Sequence, residues 1–324
     1  MHRVFRCPVV HRFALGRHAI ASVRQHANMT WNEVFDQLGL IVTDRRTLLS
    51  YGATGTGLTA AVQAGFLVRP RRDHYALPGT TTSIVQAVRV GGRLSCVSAL
   101  HLLGVFAMDA SVPHIHLVRS ASRLRSPHSR LITLAESARA DSVLHWWPLL
   151  YGSDVLDYRV GISDAVAHAI RCQQPWHAIA TLDSVLNRGL LSRDELTALF
   201  HQLPEAHWAL LVQVDGRAEA GQESILRLLM RQLGLQCELQ VHVSGVGRVD
   251  MLVEGILILE ADSRLAHDGW ELHVRDRNRD IDSARQGYMS LRPAYQRTMF
   301  DPTAVQEAVL ALLSAWNHHR VHMV

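Results

Sequence analysis

The sequence predicts an α+β chain built from several domains, and three observations lead there. At 324 residues the chain exceeds what a single hydrophobic core usually organises. Its front carries helical apolar spacing that runs into a strand–turn–strand pattern. Its last third alternates helix and strand signals in the order helix, strand, strand, helix, strand, helix, which suits a compact unit on a mixed sheet. We divide it into residues 1–28, a basic arm or an over-long start with Met29 as the true first residue; 29–79, a small helical domain with a hairpin; 80–214, a mixed α/β middle region; and 215–324, a C-terminal α/β domain.

Composition bounds the function. Hydrophobic residues make up 48% and charged residues 19%, the balance of a soluble globular protein. Apolar runs are short and broken by charge, so no membrane-spanning helix is expected, and the expected location is cytoplasmic. A net charge of +4 and a pI near 9.1 suit a nucleic-acid partner without requiring one. All 33 basic residues are arginine, which excludes any mechanism that needs a catalytic lysine. The four cysteines Cys7, Cys96, Cys172 and Cys237 show no zinc-ligand spacing and read as reduced thiols. His114 and His116 share one face of a predicted strand; we read them as polar decoration and expect a middle region without metal.

Along the front, Trp31, Val34, Phe35 and Leu38 have helical spacing. Thr43 or Asp44 can cap a second helix that stops at Gly52, and a third runs from Gly57 to Gly65. Two short strands then flank the basic turn Pro70-Arg71-Arg72-Asp73. Three short helices and a basic hairpin make a winged helix-turn-helix. The run LTAAVQAGFLVRPRRDHYALPG resembles the N-terminal domain of AbiEi-type antitoxins of abortive-infection systems. That family usually has a glycine in the wing before the tyrosine, where this chain has Asp73-His74. Arg45 and Arg46 on the second helix and Arg69, Arg71 and Arg72 on the wing are the candidate DNA contacts here.

In the middle region, helices are predicted near 95–105, 162–169, 176–187 and 194–203, and a strand over 113–118. Arginines at 119, 123, 125 and 130 among serines mark a basic loop. Asp183 and Arg188 are read as surface or capping residues in preference to catalytic ones. The region resembles the middle of actinobacterial-type proteins in which an antitoxin-like front precedes a nuclease-like tail.

The C-terminal pattern is sharper. GQESILRLLMRQLG is an amphipathic helix with Glu223 in its first turn, and GRVDMLVEGILILEAD reads as two strands joined at Glu254-Gly255. The ordered set Glu223 and Arg227, Arg248-Val249-Asp250, Glu260-Ala261-Asp262, His267, Asp276 with Arg279-Asp280, Gly287 and Arg292 resembles the very-short-patch-repair endonucleases, a branch of the PD-(D/E)XK superfamily. The resemblance implies a restriction-endonuclease-like domain with a mixed sheet. Ser263 stands where that family has glycine after the second acid of its E-x-D motif.

The chemistry of the residues points the same way. Phosphodiester hydrolysis is helped by a hard cation that neutralises charge and activates water. Mg2+, or Mn2+ in its place, takes carboxylate oxygens. Asp250, Glu260 and Asp262 are the expected ligands; Glu260 and Asp262 share a strand face. Asp250 joins them only across an odd-numbered loop such as Glu254-Gly255-Ile256, with Gly255 left-handed. Glu223 completes the catalytic set. His267 is the expected general acid–base, and Arg275, Arg277 and Arg279 are candidate phosphate contacts. The expected function is a DNA-binding protein with a metal-dependent endonuclease domain, a hydrolase. The alternative is an AbiEi-like antitoxin or transcriptional repressor with an inactive nuclease-like tail and a toxin protein as second partner.

Overall fold

A computed structural model describes residues 29–136, 141–261 and 269–322, with only the backbone of 269–276 and 319–322. The segment 1–28, Asp262 and His267 lie outside the described residues, as does the side chain of Arg275. The protein is α+β with three open sheets among the described residues. It divides into two compact units, one ending at Gly79 and one beginning at Thr80. No helix among the described residues is long and apolar enough to cross a membrane.

In the first unit, α1 (Trp31–Leu38) starts at Thr30. The threonine hydroxyl accepts from the Glu33 amide, and the Glu33 carboxylate accepts from the Thr30 amide, a reciprocal cap. After β1 (Val42–Asp44), Asp44 caps α2 (Arg45–Ser50) by accepting from the Thr47 amide at 2.7 Å. Thr54 caps α3 (Gly55–Gln63). Then β2 (Val68–Arg71) and β3 (His74–Ala76) form a hairpin, and the sheet order is β1-β3-β2. The turn is the pair Arg72-Asp73, shorter than the expected Pro70–Asp73, and Asp73 takes the left-handed φ of 60°. Val34, Phe35, Leu48, Leu58, Ala61, Leu67 and Tyr75 form the core.

The second unit opens with α4 (Thr82–Val90), β4 (Arg93–Leu94), α5 (Cys96–His101), β5 (His114–His116) and β6 (Val143–His145). In this sheet β4 is antiparallel to β5 and β6 is parallel to it. Four helices follow: α6 (Ile162–Cys172), α7 (Pro175–Asn187), α8 (Arg193–Phe200) and α9 (Trp208–Gln213). Then come α10 (Gly221–Gln232), β7 (Cys237–Val243), β8 (Gly247–Val253), β9 (Leu257–Leu259), α11 (Gly269–Arg285), β10 (Met289–Leu291), α12 (Tyr295–Phe300) and α13 (Pro302–His322). The second sheet has the order β10-β9-β8-β7 and is mixed, with only the β9–β10 pair parallel. Sequence reading counted two strands before α11; the structure has three, because β7 precedes them.

Helix α10 is buried along its length from Gly221 to Met230 and is not a surface helix with one wet face. Ile225, Leu226, Leu229 and Met230 pack on Leu239, Met251, Val253, Leu257 and Leu259 of the sheet and on Val305, Val309 and Leu313 of α13. Its other side meets α7. There Arg227 and Asp183, both almost fully buried, pair at 2.7 Å. Asp183 is therefore neither a surface nor a capping residue. Its second oxygen accepts from the Asp215 amide at 2.6 Å, and Arg227 donates to the Gln213 carbonyl at 2.7 Å. Gly221 lies so close to Phe106 that any side chain there would overlap the ring, which fixes where α10 begins.

Candidate functional site

The acidic set is assembled by the register of β8 and β9. The turn between them is Glu254-Gly255-Ile256, and the strands pair as Met251 with Leu259, Leu252 with Ile258 and Val253 with Leu257. Continuing that register sets Asp250 across from Glu260, the arrangement an odd-numbered loop requires. Gly255 has φ 67° and Glu254 φ 50°. Both residues are left-handed, and the turn closes with the Ile256 amide donating to the Val253 carbonyl at 3.1 Å. Glu254 holds its strained place by accepting from the Gln236 amide at 2.7 Å.

The strand alternation changes hand beside this site. Leu239 and Met251 face α10, whereas Val241 and Val249 belong to the cluster on the opposite face with Val243 and Ile258. Between them lie Gln240, at φ 55°, and its neighbour Asp250. Gln240 donates to the Glu223 carboxylate at 2.8 Å, so the distorted point of β7 faces the first turn of α10. Glu223 also accepts from the amides of Glu219 and Ala220, at 3.0 and 3.1 Å, and is buried. Asp250 accepts from the Ala261 amide at 2.9 Å.

Asp250 lies near enough to add its charge to both Glu223 and Glu260, and each of the three carboxyl groups is pushed above its ordinary range. Burial, and then the Asp250 charge, raise Glu223 to about 7. Burial raises Asp250 and Glu260 as well, the latter against the pull of Arg292 and Arg279. Such groups resist ionisation unless positive charge is supplied. For Glu260 that charge is present: Arg279 meets one carboxylate oxygen at 2.9 Å and Arg292 the other at 2.7 Å. Arg292 also reaches Asp280 at 3.0 Å.

The candidate DNA contacts divide. Arg279 is turned inward onto Glu260 and the Arg248 carbonyl, so its guanidinium is engaged by internal partners. A buried carboxylate is costly without compensating charge, and α11 places this guanidinium over it. Arg277 is exposed and pairs with Asp280 at 3.7 Å. In the first unit Arg45, Arg46 and Arg72 are exposed, with Arg72 beside Asp73 at 3.5 Å. Arg71 is half-buried. Arg69 lies over the Tyr75 ring, 5.8 Å from its centre, and its Nε is buried, which makes it a packing residue of the hairpin.

Sequence reading missed a second cluster. His114 and His116 are buried, not surface decoration, and the fold gathers Cys96, His114, His145 and Cys172 around one point. Only the pairing of His114 with His116 on one strand face hinted at it. No protein-family model matches this chain, and no curated protein matches it.

Proposed function

We propose that the chain is a DNA-binding protein whose C-terminal part is a metal-dependent phosphodiesterase of the endonuclease type. The observation that carries this reading is the odd turn at Gly255, which sets Asp250 opposite Glu260 with Glu223 close enough to feel the Asp250 charge. The donors are hard carboxylate oxygens held above their usual pKa, a set that gains by taking up Mg2+ or Mn2+. Asp250, Glu260 and Asp262 would hold the ion, which would polarise a phosphodiester and its attacking water. Glu223 would orient that water. His267 would carry protons, the role left open by the absence of lysine. The three helices and basic hairpin of the first unit support the winged-helix reading, with Arg45, Arg46, Arg71 and Arg72 toward phosphates.

One observation favours the alternative, an AbiEi-like repressor with an inactive nuclease-like tail and a toxin partner. Both oxygens of Glu260 already face guanidinium groups, so a cation must compete with Arg279 and Arg292. Plasmid nicking with Mg2+ or Mn2+ separates the two readings. Cleavage by the wild type that is lost in Asp250→Ala, with DNA binding retained, supports the enzyme. Binding without cleavage, and no metal-dependent rise in melting temperature, leaves the repressor.

A further inference from the structure

We propose that Cys96, His114, His145 and Cys172 form a closed tetrahedral zinc site that staples the irregular middle of the second unit. The four ligand atoms lie within 4.8 Å of one another. Zinc bonds of ordinary length set the edges of such a tetrahedron at about 3.3 Å between two ring nitrogens and about 3.5 Å between nitrogen and sulfur. Here His114 Nδ1 is 3.2 Å from His145 Nε2 and 3.7 Å from Cys172 Sγ.

Each ligand comes from a different element. Cys96 opens α5, His114 begins β5, His145 ends β6 and Cys172 ends α6. No short spacing motif exists because the parallel β5–β6 pairing, which sets His145 beside His116, is what brings the residues together. The connections it closes carry little regular structure: among the described residues, the link from β5 to β6 holds an isolated bridge between Arg125 and Thr133 and short helical turns at Leu134–Glu136 and Asp141. Chain of that kind gains stability from a metal crosslink.

Burial and charge select the ion. Cys96, His114 and His145 are buried and Cys172 is half-buried. Zn2+ with two thiolates and two neutral imidazoles carries no net charge, so it avoids the cost of an unpaired buried ion. Binding releases the two thiol protons to solvent. The nitrogen–sulfur donor set suits zinc and not Mg2+. Four protein ligands leave no open position, which makes the site structural. The Trp147 ring stacks on His145 at 4.9 Å and 18°, covering the imidazole from solvent. Cys96 has φ 51°, a left-handed conformation that L-residues rarely adopt and that a bond from its sulfur would hold in place.

The test is the metal content of the full-length chain, purified from zinc-supplemented cells. We expect one zinc per chain, kept in Asp250→Ala and lost in Cys172→Ser and in His145→Ala, with chelation lowering the melting temperature. If these variants fail to fold, cobalt exchanged into the wild type decides the matter. Tetrahedral thiolate coordination gives intense visible bands together with thiolate-to-metal charge transfer. Absence of both overturns the proposal. So does zinc that survives Cys172→Ser but is lost in Asp250→Ala, and so does a thiol count showing Cys96 and Cys172 joined as a disulfide.

Discussion

At the scale of single residues, a buried carboxyl group and a buried ion pair govern how the fold responds to its surroundings. Glu223 has its pKa lifted from 4.5 to about 7, so the folded state prefers its protonated form. The stability this gives is fully present below pH 4.5 and lost as pH rises through 7, on the order of 3 kcal/mol in all. Without divalent metal, the melting temperature should therefore fall between pH 5 and pH 8, and Glu223→Gln should flatten much of that fall. An equal decline in the variant would move the titration to Asp250 or Glu260. The Asp183–Arg227 pair is the other case. Removing the guanidinium leaves a carboxylate stranded at the α7–α10 contact, so Arg227→Met should cost about 3–5 kcal/mol. Denaturant melts should show the added change Asp183→Asn recovering part of that loss; additive losses would mean the two do not act as a pair. Neither environment was legible in the sequence. A lone aspartate in an amphipathic pattern reads as surface until the helix that covers it is known.

At the scale of elements, the β8–β9 hairpin was the most legible feature, though not its register. Glu254-Gly255 between two apolar runs marks the turn, but a two-residue loop would set Asp250 opposite Leu259, and only the pairing of Val253 with Leu257 settles the odd loop that sets it opposite Glu260. The strand β7 was legible in principle, because Cys237, Leu239, Val241 and Val243 alternate with polar residues. Its position beside β8 follows only from the sheet. The direction of Arg279 was not legible, since α11 carries arginine on several sides and only packing shows which one meets Glu260. The β2–β3 hairpin offers a functional test. If its turn meets phosphates, replacing Arg71 and Arg72 by alanine should weaken DNA binding and reduce the slope of log affinity against log salt by about 2. An unchanged slope, measured by fluorescence anisotropy across a salt series, removes this hairpin from the interface.

At the scale of the whole molecule, the division falls at Gly79, and the chain beyond it does not part near residue 214. Helices α7 and α10 share the buried Asp183–Arg227 pair, and Phe106 seats the start of α10. A chain begun at Thr80 should keep the far-ultraviolet spectrum and cooperative melting of the second unit. A chain begun at residue 215 should aggregate or melt without cooperativity; a well-folded 215–324 fragment would contradict this packing. The parallel pairing of β9 with β10 also sets an order of events during synthesis. Strands β7, β8 and β9 meet through short turns, but β10 must wait for the crossover through 260–288, and distant pairings form slowly. Arg292, which follows β10 directly, therefore reaches Glu260 late. A nascent chain would expose a buried-type carboxylate without its second guanidinium until β10 and Arg292 have left the ribosome. Pulse-labelled hydrogen exchange should find the β10 amides protected after those of β7 and β8, and simultaneous protection would rule that order out.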